Sequence, residues 1–292
     1  MRIAFLGLGR MGDPMARRLA GAFELAVFNR DSAKARPFVA LGARLAGSVQ
    51  EAAEGAGLAL TMLADDAAEE ALAFGPGGLL EVLAPGAIHV SMSTIGIATS
   101  ARLADAHAAA GQGFVAAPVF GRPPAAAAGQ LWILAAGPEP QVTRCQPVFE
   151  RLGQGVFPLG EHASTAHAMK LAGNTLLVTV LEALSEAFAY GEKVGVAPET
   201  TLRVLNTALL KSPLAEAYGS AVVKGAFEPA GFALRLGLKD VSLALRAAEA
   251  FQAPLPIASL LRDRLLAATA KGYGDQDLAA LSRLSREEAG LA

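Results

Sequence analysis

The chain has little of several features that would direct its function. It contains one cysteine among 292 residues, so no disulfide can form within it and a reducing compartment is expected. Its formal net charge is only -2, which argues against a protein that binds nucleic acid or an anionic membrane surface. No run of 18 uncharged apolar residues resembles a membrane span, and the apolar run at the N-terminus is too short for a signal-peptide core. We therefore expect a cytoplasmic protein that neither binds nucleic acid nor enters a membrane.

The first half of the chain alternates short apolar runs with helical stretches, which is typical of a parallel sheet with crossover helices. The runs lack strict alternation, as expected when helices cover both faces of the sheet. The predicted strands lie near 2–7, 24–28, 43–46, 57–62, 87–92, 113–117, 131–136 and 155–158. The predicted helices lie near 11–21, 32–41, 48–54, 66–73, 98–110 and 139–152. This pattern predicts an α/β domain of the Rossmann type, with a doubly wound parallel sheet, over residues 1–161, and it places Trp132 in the core.

The strand signal stops after Glu161, and an all-α domain is predicted for residues 162–292. Residues 163–193 contain no proline and form one helical pattern, which would be roughly 45 Å long at 1.5 Å per residue. This helix is apolar over most of its girth, so we expect other helices or a second subunit to cover it. A homodimer or homotetramer is therefore expected. Further helices are predicted near 198–208, 213–224, 236–251, 256–270 and 276–283.

A glycine-rich motif of the form G-x-G-x-x-G directly follows the first predicted strand and opens a helix. Gly7 permits the tight turn, Gly9 lets the backbone approach a pyrophosphate, and Gly12 allows close packing of helix against strand. The N-terminus of the helix offers free N–H groups to phosphates. The alternative is a glycine-rich turn without a ligand, and the strand before and helix after favour cofactor binding. The predicted cofactor contacts of this loop are Gly7, Leu8, Gly9, Arg10, Met11 and Gly12.

The end of the second predicted strand bears on the choice of coenzyme. An NAD enzyme usually places an acid there for the ribose hydroxyls, whereas this chain has Asn29, Arg30 and Asp31. The guanidinium of Arg30 can pair with a 2′-phosphate and stack on adenine, and Asn29 offers neutral hydrogen bonds. Asp31 is better explained as the N-cap of the helix predicted at 32–41. We therefore predict Asn29 and Arg30 as cofactor contacts and favour NADPH over NADH, the alternative for Arg30 being a solvated surface charge.

Four separated motifs resemble those of the β-hydroxyacid dehydrogenases, the family of 3-hydroxyisobutyrate dehydrogenase, tartronate semialdehyde reductase and glyoxylate/succinic semialdehyde reductase. They occur in the family's order and span nearly the whole chain. They are the glycine motif at 7–16, the segment from 117–121 to 129–131, the segment from 160 to 174, and Leu-Lys-Asp-Val-Ser-Leu-Ala at 238–244. The resemblance implies an NAD(P)-dependent dehydrogenase or reductase acting on CH–OH groups.

The resemblance also implies site residues that the sequence alone would not single out. It adds cofactor contacts at Met62, Leu63, Ser93, Thr94 and Lys239. It implies that hydride passes between the nicotinamide and a carbonyl carbon of a small aldehyde or keto acid, the oxidised partner of a hydroxy acid.

The resemblance assigns the acid–base role to Lys170 and a supporting role to Asn174. At a spacing of four the two residues share one face of a helix. Lys170 would donate the proton in reduction and accept it in oxidation. Asn174 would orient the substrate oxygen or the lysine amine. Without the resemblance, a snorkelling lysine beside an asparagine would be the better interpretation.

The substrate segment departs from the family pattern at two positions. The family's usual serine is Phe120 in this chain and a family glycine is Arg122, with Gly121 retained between them. Backbone N–H groups there can still bind an anion and Arg122 can add a charge; equally, Phe120 can make the pocket apolar, or Phe120 merely packs and Arg122 faces solvent. Phe120, Gly121, Arg122 and Asp240 are the predicted substrate contacts, although Asp240 can instead cap or pair near the cleft.

The sequence leaves two other functions open. An apolar pocket at Phe120 would suit an imine or an apolar carbonyl compound, whereas Lys170 favours the hydroxyacid chemistry. A catalytically silent NADP-binding scaffold would be favoured by loss of Lys170 or Asn174, and both are present. The four histidines are not spaced as a metal site, so no metal is expected.

Overall fold

The computed structural model describes residues 1–291. The chain forms two compact units, Met1–Lys170 and the part from Leu171 onward. The division falls inside one long helix, a few residues after the boundary at 161/162 that the sequence suggests. Where the functional domains divide stays a prediction.

The first unit is built on a six-stranded sheet in which every pairing is parallel. Its strands are β1 (Arg2–Leu6), β2 (Glu24–Phe28), β3 (Arg44–Leu45), β4 (Leu58–Thr61), β5 (Ile88–Ser91) and β6 (Gly113–Ala116). The spatial order is β3-β2-β1-β4-β5-β6, the doubly wound order of Rossmann-type sheets. The chain places β2 and β3 on one side of β1 and then β4 to β6 on the other, so the winding of the sheet switches between β1 and β4. In such sheets ligands bind outside the carboxyl ends of the strands at that point.

A second sheet of three strands completes the strands of the first unit. It contains β7 (Val119–Phe120), β8 (Leu131–Ala135) and β9 (Gly153–Pro158), in that order. The two-residue strand β7 is too short to predict from a pattern. The prediction that Trp132 lies in the core is wrong, because its side chain is 41% exposed. Side chains alternate along a strand, so the burial of Leu131 and Ile133 turns Trp132 to the other face, where it packs on Phe157 at 5.2 Å between ring centroids.

Helices cover both faces of the six-stranded sheet. They are α1 (Gly12–Leu19), α2 (Val49–Ala53), α3 (Asp66–Phe74), α4 (Leu79–Val82), α5 (Ile97–Ala109), α6 (Pro123–Ala128) and α7 (Glu139–Leu152). Helix α7 also packs on the three-stranded sheet. The short helices α4 and α6 were not predicted. The helix predicted at 32–41 is wrong in type, because the segment forms two 3-10 turns, Ser32–Lys34 and Arg36–Leu41. Pro37 has no N–H to donate to a continuous α-helix at this point.

The second unit is helical throughout its regular structure. The long helix α8 (Ser164–Lys193) enters it, followed by α9 (Pro198–Leu205), α10 (Pro213–Val223), α11 (Leu234–Ala250), α12 (Pro256–Ala270) and α13 (Ser282–Glu288). The core of this unit brings together Leu181 of α8, Val241 of α11 and Leu265 of α12, each fully buried. The helix predicted at 276–283 is instead a 3-10 turn, Leu278–Leu281, that runs into α13.

Helix α8 is unusual for its length and its apolar surface. Among residues 1–291 it is the one helix long and apolar enough to cross a membrane, and 44% of its apolar window is buried in the structure. The core helices of compact proteins can have the same character. Leu176 and Tyr190 expose 64% and 72% of their surface, so the homodimer or homotetramer stays a prediction that this helix motivates.

Candidate functional site

The glycine loop packs against the loop that follows β4 with no room for a side chain at Gly7. Gly7 has a φ of +103°, and a Cβ placed there would lie 2.4 Å from the backbone oxygen of Met62 and 2.8 Å from Leu63 Cδ2. The N–H of Gly7 donates to the carbonyl of Phe28 at 3.0 Å. Both the dihedral angle and the contact require glycine at this position, and they bring the loops after β1, β2 and β4 together.

The other two glycines of the motif have opposite environments. A Cβ on Gly12 would lie 1.8 Å from the carbonyl oxygen of Gly7, whereas a Cβ on Gly9 would meet no atom within 4 Å. Packing of the protein itself therefore explains Gly12 and leaves Gly9 unexplained. An exposed backbone without a side chain is what close approach of a pyrophosphate requires. The open position at Gly9 thus fits a dinucleotide cofactor.

The N-terminus of α1 suits an anion. Its N-cap residue, Met11, makes no side-chain cap, so no side chain competes with a phosphate for the first N–H groups. The N–H of Asp13, however, already donates to the carbonyl of Gly9 at 2.9 Å. Asp13 lies in the first turn, where its charge would oppose a phosphate. Arg17 pairs with this carboxylate at 2.8 Å, which reduces that repulsion.

The end of β2 contributes both a brace and a cation. Asn29 Oδ1 accepts the N–H of Leu8 at 2.9 Å, and its Nδ2 donates to the carbonyl of Asp31 at 3.0 Å. Asn29 therefore holds the glycine loop, whatever it also offers a cofactor. Asp31 accepts the N–H of Ala33 at 3.0 Å and caps the following 3-10 turn. Arg30 is exposed, so its guanidinium is accessible to a ligand.

The loops after β4 and β5 are tied together beside the glycine loop. The N–H of Leu63 donates to Ser93 Oγ at 2.8 Å, and the Ser93 hydroxyl donates to Glu69 Oε2 at 2.6 Å. Ser93 and Glu69 are fully buried, whereas Met62, Leu63 and Thr94 are half-buried. Sequence patterns do not predict Glu69 as a site residue. Its only sequence signal is an acidic residue on the buried side of α3.

Behind Glu69 a chain of buried polar side chains continues through the first unit. Glu69 Oε1 accepts the hydroxyl of Thr61 and lies 3.2 Å from His89 Nε2. His89 Nδ1 lies 2.9 Å from His107 Nε2, and His107 Nδ1 lies 2.7 Å from Gln112 Oε1. Within the described residues, no three His, Cys, Asp or Glu side chains could hold a metal ion.

Burial and neighbouring groups shift the pKa values of Glu69 and His107 within this run of buried polar side chains. Burial alone would raise the pKa of Glu69, but the hydrogen bond and charge of His89, with the hydroxyls of Ser93 and Thr61, outweigh it and lower that pKa. Burial, and then the charge of His89, lower the pKa of His107 to about 3. His107 is therefore neutral near pH 7, and Glu69 is a carboxylate.

Lys170 and Phe120 are in direct contact within the first unit. The Lys170 ammonium lies 4.3 Å from the centroid of the Phe120 ring, within the range of a cation–π interaction. Lys170 is only 8% exposed. Gly121 has a φ of +142°, and a Cβ there would lie 2.5 Å from Leu131 Cδ2, so this glycine is required by packing. Arg122 is half-buried at the start of α6.

Asp240 joins two other predicted site residues in the second unit. Asn174 Nδ2 of α8 donates to Asp240 Oδ2 at 2.5 Å, and Lys239 Nζ lies 3.0 Å from Asp240 Oδ1. Asp240 is 1% exposed and Asn174 is 4% exposed. The carboxylate therefore orients the amide of Asn174. Asn174 follows Lys170 by one turn of α8, so the two share a helix face.

Two family models together match almost the entire chain. Residues 2–160 match the NAD-binding domain of 6-phosphogluconate dehydrogenase. Residues 164–285 match the NAD-binding domain of NADP-dependent 3-hydroxyisobutyrate dehydrogenase. With the sheet order and the glycine loop, these matches define an NAD(P)-dependent oxidoreductase with a Rossmann-type domain and a helical second domain.

Relatives with similar lengths support the same assignment. The oxidoreductase YfjR of Bacillus subtilis is 46% identical over 96% of this chain and 98% of its own length. Glyoxylate/succinic semialdehyde reductase 1 of Arabidopsis thaliana is 32% identical, over 96% of this chain and 97% of its own. The solved structure of 3-hydroxyisobutyrate dehydrogenase from Mycobacterium tuberculosis is 28% identical with a TM-score of 0.88, covering 98% of this chain and 99% of that one. The chain belongs to the β-hydroxyacid dehydrogenase family.

The contrast between Gly9 and Gly12 yields a matched pair of substitutions. Gly9→Ala should change the free energy of unfolding by less than about 1 kcal/mol, since the site is open, and should weaken NADPH binding by at least about tenfold. Gly12→Ala should cost about 3 kcal/mol or more, because its Cβ overlaps a backbone oxygen. Calorimetric titration with NADPH and urea unfolding measure both effects. Full NADPH affinity in Gly9→Ala would contradict this account of the loop.

The low pKa of His107 predicts a loss of stability in mild acid. The unfolded chain takes up this proton near pH 6.5 and the folded chain only near pH 3, so lowering the pH favours unfolding. The contribution between pH 7 and pH 5 is about 2 kcal/mol. His107→Asn, which keeps a donor toward Gln112, should remove that part of the pH dependence in urea unfolding of the full chain. The exposed His162 provides the control His162→Asn; equal slopes in wild type and His107→Asn would exclude the assignment.

Proposed function

We propose that the protein is an NADP-dependent reductase of a small aldehyde or keto acid, of the semialdehyde/3-hydroxy acid type, with Lys170 as general acid and base. The observation that carries the proposal is a buried ammonium at Lys170 on the helix face that also bears Asn174. The names of the Arabidopsis reductase and the mycobacterial dehydrogenase support this substrate class.

For this reaction the protein has to position the substrate and the cofactor and to supply one proton. The nicotinamide cofactor, when bound, supplies the hydride. The Lys170 ammonium offers N–H donors and no acceptor, so it can polarise a carbonyl oxygen and then transfer a proton to it. In the oxidative direction the neutral amine takes that proton back. Asn174, with its amide held by Asp240, orients the substrate oxygen.

The residues at the end of β2 support NADP rather than NAD. A 2′-phosphate needs a cation and no nearby carboxylate. Arg30 supplies an exposed guanidinium, and Asn29 stands between it and the glycine loop without a charge. The carboxylate of Asp31 is engaged in its cap at Ala33. The glycine loop residues at 7–12 and the half-buried Met62, Leu63 and Thr94 are the proposed further contacts, with Lys239 from the second unit.

A second candidate function rests on Phe120. An aromatic ring lies against the lysine ammonium, where the family motif has a serine hydroxyl. A ring lacks the donor that would bind a substrate carboxylate, and it offers apolar surface instead. An apolar aldehyde, ketone or cyclic imine is the alternative substrate on this ground.

Removal of the proposed acid tests the function directly. Lys170→Ala should lower kcat for the preferred substrate by about 10²–10⁴-fold, because proton transfer loses its donor, while the Kd for NADPH stays within about twofold. Lys193→Ala, at the exposed end of the same helix, is the control and should keep full activity. The assay is NADPH oxidation with glyoxylate, succinic semialdehyde, tartronate semialdehyde, an apolar aldehyde and a cyclic imine.

The panel separates the candidates. Lysine-dependent reduction of a semialdehyde acid supports the first function, and reduction of the apolar aldehyde or imine alone supports the second. Retained turnover in Lys170→Ala would remove this residue from the acid–base role. NADPH binding with no turnover of any compound would leave the silent scaffold as the better description.

Reversal of the charge at Arg30 tests the coenzyme. Arg30→Asp should raise the Kd for NADPH by about tenfold or more, because it removes a charge-assisted pair and adds repulsion, and should leave NADH binding equal or tighter. Arg203→Asp, on the exposed side of α9, makes the same change in net charge as a control. The readout is the ratio of the two dissociation constants from calorimetry. An unchanged ratio would refute the role of Arg30.

A further inference from the structure

We propose that Glu69 is a positioning residue for the reaction: through Ser93 it holds the loops after β4 and β5 in the arrangement that binds the cofactor. The proposal rests on the proposed function, because those loops carry Leu63 and Thr94. The first unit contains a continuous run of buried polar side chains, from Ser93 through Glu69 and the two histidines to Gln112, and its hydrogen bonds define the setting of Glu69.

The hydrogen-bond directions are fixed first at the Gln112 end of this run. Gln112 Nε2 lies 2.7 Å from the carbonyl oxygen of Leu83 and 3.2 Å from that of Leu80. Carbonyl oxygens only accept, so this end of the amide is its NH2 group. The amide oxygen therefore faces His107 Nδ1, and that nitrogen carries the hydrogen.

The two histidines pass this direction on. His107 is neutral, since burial and the charge of His89 lower its pKa to about 3. With a hydrogen on Nδ1, its Nε2 is a bare acceptor, and His89 Nδ1 must donate to it across 2.9 Å. The other nitrogen of His89 faces Thr61 Oγ1 at 3.0 Å and Glu69 Oε1 at 3.2 Å.

The opposite end is set by a backbone donor. The N–H of Leu63 donates to Ser93 Oγ, so the serine hydroxyl directs its own hydrogen to Glu69 Oε2 at 2.6 Å. The hydroxyl of Thr61 donates to Glu69 Oε1. Glu69 thus receives hydrogen bonds on both oxygens and faces His89 as well. Its carboxylate accepts the hydroxyls of Ser93 and Thr61, one on each oxygen, whereas the hydrogen bonds from His89 through His107 to Gln112 run away from it.

This arrangement has two consequences for a phosphate-bearing cofactor. Buried without partners, the charge of Glu69 would be costly and would repel phosphates; the hydroxyls of Ser93 and Thr61 and the neighbouring His89 stabilise it. The carboxylate also takes the hydrogen of Ser93, so Ser93 keeps its lone pair on Leu63 N–H. The loops after β4 and β5 are then joined by one hydrogen bond of fixed direction, from the Leu63 N–H to the Ser93 hydroxyl.

Glu69→Gln is the sharpest change because it preserves shape and removes the acceptor pair. The new NH2 group must face either the Ser93 hydroxyl or the Thr61 and His89 side, which already donate. The Kd for NADPH should rise by about tenfold or more, the cost of a lost charge-assisted hydrogen bond. The kcat at saturating NADPH should stay within about threefold, since Lys170 is untouched.

The neighbouring residue provides the control. Glu70 lies on the same helix, α3, but it accepts the hydroxyl of Thr99 and pairs with Arg102. It is not part of the run of buried polar side chains that contains Glu69. Glu70→Gln should leave the Kd for NADPH within about twofold. The double variant Glu69→Gln/Ser93→Ala tests the path itself. If Glu69 acts through Ser93, the double variant should bind NADPH no more weakly than Ser93→Ala alone.

Titration calorimetry on the full-length protein separates the outcomes. Failure of the wild type to bind NADPH would refute the proposed function, whatever the variants do. Wild-type affinity in Glu69→Gln, or losses that simply add in the double variant, would overturn the role of Glu69 and leave the proposed function intact. If Glu69→Gln does not fold, Ser93→Ala decides: unchanged NADPH affinity in that variant overturns the proposal.

Discussion

The close contact between the glycine loop and the loop after β4 is the constraint on which the site depends. A single methyl group at Gly7 would overlap the carbonyl of Met62, and one at Gly12 would overlap Gly7 itself. Because backbone atoms occupy the space beside these two glycines, the first turn of α1 packs closely against the end of β1. Gly9 is the one glycine of the motif whose surroundings are open. The strand order places this contact where the sheet reverses its winding, so the open backbone lies where such sheets bind ligands.

The carboxylates of the proposed cofactor site all have partners within the protein. Asp13, Asp31 and Glu69 belong to, or contact, the segments proposed to bind the cofactor. Each is engaged by a different means, by Arg17, by a backbone N–H, and by His89 with two hydroxyls. A phosphate approaching the loop therefore meets N–H dipoles and the guanidinium of Arg30 rather than uncompensated acids. Asp240 follows the same rule in the second unit, between Asn174 and Lys239.

The sequence was most informative where periodicity is long or chemistry is local. The apolar runs predicted the six parallel strands, and residues 163–193 predicted α8 nearly to its ends, because each signal depends only on neighbours in the chain. It failed at 32–41, where Pro37 divides a helical pattern into two 3-10 turns, and at Trp132, whose face is set by the strand's alternation.

The site divides in the same way. Gly7, Gly9 and Gly12 could be predicted from the physics of one loop, whereas Lys170, Asn174 and Lys239 required the family resemblance. Glu69, His89 and His107 lie far apart in the chain and become a unit only through the sheet topology. No pattern along the sequence identifies such a set, since its hydrogen bonds depend on burial and on backbone groups at either end.

The aromatic residues are distributed unevenly between the two units, which has a practical consequence. The chain has one tryptophan and three tyrosines; Trp132 lies on β8 of the first unit, and Tyr190, Tyr218 and Tyr273 all belong to the second. Selectively excited tryptophan fluorescence therefore reports on the dinucleotide-binding half, from a ring that is already partly exposed to solvent. Tyrosine fluorescence reports on the helical half. The native protein thus carries separate optical labels for its two halves, without any substitution.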